Sequence, residues 1–158
     1  MKSRVELSGT SVVLTFLLFV FLLGSAYTMY RQDALAAAWI IIGLTVVLAL
    51  SVLIFAPMYV SADEREVCIF SSFCFKRIPM ESIDSVKLYQ PGNYIRICAS
   101  GGFCGYWGLF RERSIGRYYG AYGKASQCFL IRLKNGKQYV LGCKDARKMT
   151  EFIAEQLR

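Results

Sequence analysis

Two stretches near the start of the chain carry no charge at all. Residues 7–30 form a run of 24, centred on Val12, Val13, Leu14, Phe16, Leu17, Leu18, Phe19, Val20, Phe21, Leu22 and Leu23. Residues 34–62 form a second run, of 29, and only Arg31, Gln32 and Asp33 separate the two. A membrane-spanning helix needs about 20 apolar residues. The pattern predicts two spanning helices, over 11–30 and 34–60, that make a tight hairpin of residues 1–62. Tyr27, Tyr30, Trp39 and Tyr59 lie near the ends of the runs, where aromatic rings favour the headgroup level. A signal peptide is the rival reading of the first run, with Lys2 and Arg4 in front and Gly24-Ser25-Ala26 as a cleavage site. The run is long for such a peptide, and one helical hairpin explains both runs.

The basic residues orient the hairpin. Lys2 and Arg4 flank the first run, and Arg65, Lys76 and Arg77 follow the second on the same side. The loop between carries Arg31 alone among bases. The expectation is a multi-pass protein of the inner (plasma) membrane with both termini cytoplasmic. Loss of the first run by cleavage would leave residues 63–158 on that side.

After residue 62 the pattern changes to alternation. Val67-Cys68-Ile69-Phe70 and Phe73-Cys74-Phe75 flank Ser71-Ser72 as in a tight hairpin. Residues 85–89 and 94–98 alternate with period two, and 118–122 is a further strand candidate. The clearest hairpin runs from 129–134 through Asn135-Gly136 to 137–141, because Asn-Gly supplies the positive φ angles of a type I′ turn. A last helix begins after Asp145, a candidate N-cap. Its apolar stripe is Ala146, Met149, Phe152, Ile153 and Leu157; such a stripe caps a sheet. Six or seven strands followed by one helix imply antiparallel sheets or a split barrel closed by that helix.

Composition agrees with this division. Hydrophobic residues make up 55% of the 158, charged residues 19%, and mean hydropathy is +0.39. The apolar excess lies in the first 62 residues, which excludes both a fully soluble protein and a disordered one. Net charge is +8, nearly all of it from the C-terminal part.

The C-terminal part resembles the pleckstrin-homology-like (PH-like) domains of small bacterial membrane proteins, over about residues 64–158. Three stretches carry the resemblance. The first is Arg77-Ile78-Pro79-Met80-Glu81-Ser82-Ile83-Asp84-Ser85-Val86. The second is the glycine and aromatic segment 100–110 with Ile115-Gly116-Arg117-Tyr118-Tyr119. The third is 131–141 running into the final helix. The resemblance implies two nearly orthogonal antiparallel sheets capped by a C-terminal helix. It does not imply an activity. Phosphoinositide-binding members use a basic motif around the first hairpin, where this chain has only Lys76 and Arg77 after Ser71-Ser72.

Catalytic chemistry is poorly represented. There is no histidine, the commonest general base and metal ligand, and no nucleophile-elbow, Walker A or dinucleotide fingerprint. Gly102, Gly105 and Gly108 stand three apart without the strand-to-helix context of a phosphate loop, so they read as a flexible or tightly packed loop. Cys68, Cys74, Cys98, Cys104, Cys128 and Cys143 show no C-x-x-C pair and read as reduced thiols filling strand positions; an extracellular domain would instead suggest disulfides. Asp63, Glu64 and Glu66, and likewise Glu81 and Asp84, read as solvated carboxylates. No enzyme, cofactor, metal, nucleic acid or small-molecule substrate is expected.

Segment 103–124 is the most informative. It carries Arg111, Arg113, Arg117 and Lys124 against Glu112 alone, interleaved with Tyr106, Trp107, Phe110, Tyr118, Tyr119 and Tyr122. Arginine and aromatics favour interfaces, and bases near an anionic leaflet gain about 1 kcal/mol each. A long loop packed on its own sheet is the plain alternative. The expected function is a membrane-anchored, non-enzymatic PH-like binding module that recruits or positions a membrane protein partner, with self-association a further form. The alternative is direct binding of anionic lipid headgroups through 103–124.

Overall fold

The computed structural model describes residues 1–71, 75–101 and 104–157. A short strand β1 (Lys2–Arg4) precedes two antiparallel helices, α1 (Gly9–Arg31) and α2 (Leu35–Phe55). Both are long and apolar enough to cross a membrane. At 1.5 Å per residue they measure about 34 and 31 Å, against a hydrocarbon core of about 30 Å. Asp33 turns the chain between them with φ 57°.

The second helix ends earlier than its charge-free run suggests. Pro57 has no backbone N–H and disfavours helix at the residue before it. Residues Pro57–Ala62 accordingly form strand β2, with Val60 and Ala62 fully buried.

The strands that follow are β3 (Glu66–Ser71), β4 (Phe75–Pro79), β5 (Ile83–Leu88), β6 (Tyr94–Gly101), β7 (Tyr106–Glu112), β8 (Gly116–Tyr122), β9 (Cys128–Leu133) and β10 (Gln138–Gly142). The last element is α3 (Ala146–Gln156). Nine strands thus follow α2 among the described residues, more than the alternation suggested. They form one sheet in the order β1-β2-β3-β4 and another in the order β5-β9-β10-β8-β7-β6. Of the first expected hairpin, β3 and β4 pair from Phe70↔Phe75 outward, while Phe73 and Cys74 lie outside the described residues. Segment 103–124 is not a long loop: β7 and β8 pair antiparallel throughout, from Tyr106↔Tyr122 to Glu112↔Gly116.

Two features depart from a run of hairpins. First, β1 pairs antiparallel with β2, in register Lys2↔Ser61 to Arg4↔Tyr59. The helical hairpin therefore leaves and re-enters the same sheet. Second, β10 pairs parallel with β8, through Tyr139↔Tyr119. The cause is that β9 pairs with distant β5, so the Asn135-Gly136 turn brings β10 back into the gap between β9 and β8. Gly136 takes φ 80° there, as the turn requires.

The main core draws Val60, Val67, Ile69 and Ile78 from the first sheet and Phe129, Ile131, Tyr139 and Leu141 from the second. The α3 stripe closes it: Ala146, Met149 and Ile153 are buried, and Phe152 and Leu157 pack partly. A second cluster, around Phe110, Tyr118, Tyr122 and Leu130, fills the other side of the six-stranded sheet.

Candidate functional site: a basic aromatic groove beside the helices

Alternation along β8 places Arg117, Tyr119 and Ala121 on one face of the sheet. The parallel register sets Tyr139 beside Tyr119, with ring centroids 6.0 Å apart. Lys137, two residues before Tyr139, falls on the same face at the level of Arg117. On the other side of β8, Arg111 of β7 stands directly opposite Arg117. Like charges in such a pair are unfavourable without a counter-anion.

The four-stranded sheet supplies a further cation. Lys76 on β4 holds its ammonium 4.3 Å from the Tyr119 ring centroid and 4.8 Å from that of Tyr139. Each such contact contributes about 0.5–1 kcal/mol at an exposed site. Lys76, Leu109, Arg117, Tyr119, Lys137 and Tyr139 enclose a groove of about 310 Å³. A neighbouring hollow of about 260 Å³ shares Lys76 and Tyr119 and is completed by Phe55, Pro57, Ile69 and Ala121. Among the described residues no acidic side chain lines either one. The two hollows connect a basic end to the C-terminal end of α2.

This arrangement divides the residues singled out from the sequence. Arg111 and Arg117 are exposed on the groove face, with Tyr119 beside them, and Trp107 stacks on Phe55 at 5.3 Å. Arg113 is exposed in the β7–β8 turn. Phe110 and Tyr118 are buried on the opposite face, and Tyr106 stacks there on Tyr122 at 5.0 Å. Burial pushes the Tyr118 and Tyr122 hydroxyls well above the ordinary phenol range. Lys124 is engaged elsewhere, donating to Glu6 at 2.8 Å. With Gln127, it holds the Glu6 carboxyl below its ordinary range. Lys76, Lys137 and Tyr139 complete the groove without having been singled out. Lys137 and Tyr139 meet Arg117 and Tyr119 only through the parallel pairing, for which the sequence carries no local signal.

The glycine segment is tightly packed. Gly105 and Gly108 adopt φ 106° and 117°, and a Cβ at Gly108 would collide with the carbonyl oxygen of Cys98. Gly102 and Phe103 lie outside the described residues. Thiol chemistry is muted in the core: burial raises Cys68 and Cys143 to about 11, and Cys128 further still. Among the described residues no three His, Cys, Asp or Glu side chains gather as a metal site. Asp63, Glu64 and Glu66 border an open hollow with Phe152, and Glu66 is occupied by Arg77 at 3.8 Å and by the Cys68 thiol. Comparison of the chain with known protein families, with curated proteins and with solved structures finds no match.

Proposed function

We propose that the chain is a membrane-anchored, non-enzymatic binding module that takes an anionic phospholipid headgroup into the groove of Lys76, Arg117 and Lys137. One observation carries this reading: the groove is cationic at one end and reaches the end of an apolar helix at the other. An amphiphile with a negative head and apolar tails matches that polarity. Tyr119 and Tyr139 belong to the residue type favoured at headgroup level, and each base near an anionic leaflet adds about 1 kcal/mol.

In this reading α1 and α2 both span the inner membrane, and the β-domain sits on the cytoplasmic face, where the bases would place it. The pairing of β1 with β2 supports a common side for the two segments that flank the hairpin. In this reading the first run is kept as a span, so that β1 stays paired with β2. The two sheets and the capping α3 support a PH-like domain, while the parallel β8–β10 pair is a departure from the all-antiparallel pattern of that fold.

The test is thermal unfolding of the full chain in a neutral detergent, titrated with dihexanoyl phosphatidylglycerol or dihexanoyl phosphatidylcholine. Selective binding to the folded state raises the midpoint with ligand concentration. The reading requires a rise with the anionic phosphatidylglycerol alone, and its loss in R117Q/K137Q. Equal rises with both lipids would refute it.

Recruitment of a protein partner is the second reading, favoured by β6. This strand lies at the edge of its sheet, with Ile95 and Ile97 71% and 50% exposed. A long apolar edge strand offers backbone groups for an added strand. Site-directed crosslinking from Ile95 in intact membranes tests it.

A further inference from the structure

The β6–β7 hairpin does more than line a groove. Described residues on both of its strands and Cys104 lean on the two apolar helices. The backbone N–H of Cys104 donates to Thr15 Oγ1 of α1 at 3.3 Å. Cys98, Ala99, Ser100 and Trp107 border a hollow of about 290 Å³ whose other wall is Leu48, Ser51 and Val52 of α2. Trp107 also stacks on Phe55, the last residue of that helix.

The helix lengths convert these contacts into depth. Since α2 measures about 31 Å and the hydrocarbon core about 30 Å, a spanning α2 has little length to spare. Leu48 to Val52 then lie about 4 to 10 Å inward from the Phe55 end, and Thr15 lies about 9 Å inward from Gly9. Cys98–Ser100, Cys104 and Trp107 beside them are at the depth where interfacial elements bury their apolar face, about 5–10 Å.

The sequence of the hairpin fits that depth. Residues 97–110 contain no charge. Arg96 and Arg111 bound the run, one on each strand, and the pairs Arg96↔Phe110 and Ile95↔Arg111 put them at nearly the same level. Long basic side chains at such a boundary extend to the headgroups. Backbone polar groups at this depth need protein partners, and Thr15 supplies one for Cys104.

We infer that the β6–β7 hairpin is a third membrane-contacting element, inserted with Trp107 into the headgroup–acyl boundary of the leaflet on the domain's side. The inference rests on the two-span reading of α1 and α2. It does not depend on the headgroup groove.

The two tryptophans of the chain, Trp39 and Trp107, separate the outcomes. Full-length W39F and W107F are reconstituted in phosphatidylcholine vesicles containing 5-doxyl phosphatidylcholine, with aqueous iodide as the opposing quencher. In W107F, Trp39 reports the span, because it lies in the first turns of α2 and its side chain is 70% exposed. In W39F, Trp107 reports the hairpin. The expected result is nitroxide quenching of Trp107 by about twofold with little quenching by iodide, as for a ring at acyl-boundary depth. Nitroxide quenching of Trp39 together with iodide quenching of Trp107 overturns the inserted hairpin and leaves the spans standing. Absence of nitroxide quenching at Trp39 overturns the spans and the inserted hairpin together.

Discussion

Ser3 and Asp145, 142 positions apart, hold each other through two hydrogen bonds: the Ser3 hydroxyl donates to Asp145 Oδ2 at 3.1 Å and accepts the Asp145 backbone N–H at 3.2 Å. The contact joins the strand before α1 to the residue that precedes α3. Asp145 therefore precedes α3 as expected of a capping residue, but its side chain is spent on β1 rather than on the helix N–H groups. Ser3 is 5% exposed. Replacing it with Ala leaves the Asp145 N–H without its acceptor, at a cost of about 1–2 kcal/mol. Thermal or denaturant unfolding of S3A in detergent should show that loss, and S3T should recover part of it.

Glu6 is the second tie between the segment before α1 and the sheet. Lys124 donates to it at 2.8 Å, Gln127 donates at 3.1 Å, and Lys144 stands at 3.8 Å. The folded-state pKa of Glu6 is lowered, so its ionised form is favoured by folding. The stabilisation is present above the unfolded carboxylate value of about 4.3 and is lost as pH falls through the folded value. The melting temperature of the wild type should fall on acidification below that value more steeply than that of E6Q. Parallel pH profiles for the two proteins would remove Glu6 from the account.

Glycine at position 123 leaves no room for a side chain. A Cβ there would run into the carbonyl oxygen of Glu6, with the Glu6 carbonyl carbon 2.7 Å away. Both obstacles are backbone, so relief requires β1 and its extension to move. G123A should destabilise the fold by about 2 kcal/mol or more, in the range of overpacking and strain. G136A, where no atom lies within 4 Å but φ is 80°, should cost about 1 kcal/mol, the scale of a non-glycine residue in the left-handed region. Unfolding midpoints of the two variants, compared side by side, check the order.

The stack of Phe55 on Trp107, with planes 20° apart, couples the end of α2 to β7. Aromatic pairs contribute about 0.5–1.5 kcal/mol beyond area burial. A double-mutant cycle of F55A and W107A should return a coupling of that size, and additive effects would show that the two rings act independently.

Much of the fold is legible in local pattern. The two long apolar helices follow from charge-free runs, the 129–141 hairpin from Asn135-Gly136, and α3 from its apolar stripe. What the pattern hides is non-local pairing. Lys2 and Arg4 read as flanking charges, because three residues are too few to show alternation, and only β2 makes them a strand. Pro57 was visible, yet the apolar residues after it masked the switch from helix to strand. Within 103–124 composition singles out the aromatic and basic residues, but composition cannot tell the two faces apart. Burial sends Phe110 and Tyr118 inward and leaves Arg111 and Arg117 outside. Lys137 and Tyr139 join the arginines only because β10 lies parallel to β8.

The central claim, a groove that holds an anionic headgroup, is tested most directly by native mass spectrometry of the full chain released from mixed micelles. The micelles would contain equal amounts of phosphatidylglycerol and phosphatidylcholine of matched chain length. Wild type should retain the anionic lipid preferentially, and R117Q/K137Q should retain the two lipids equally. Equal retention by the wild type, or an unchanged preference in the variant, would contradict the assignment of the groove.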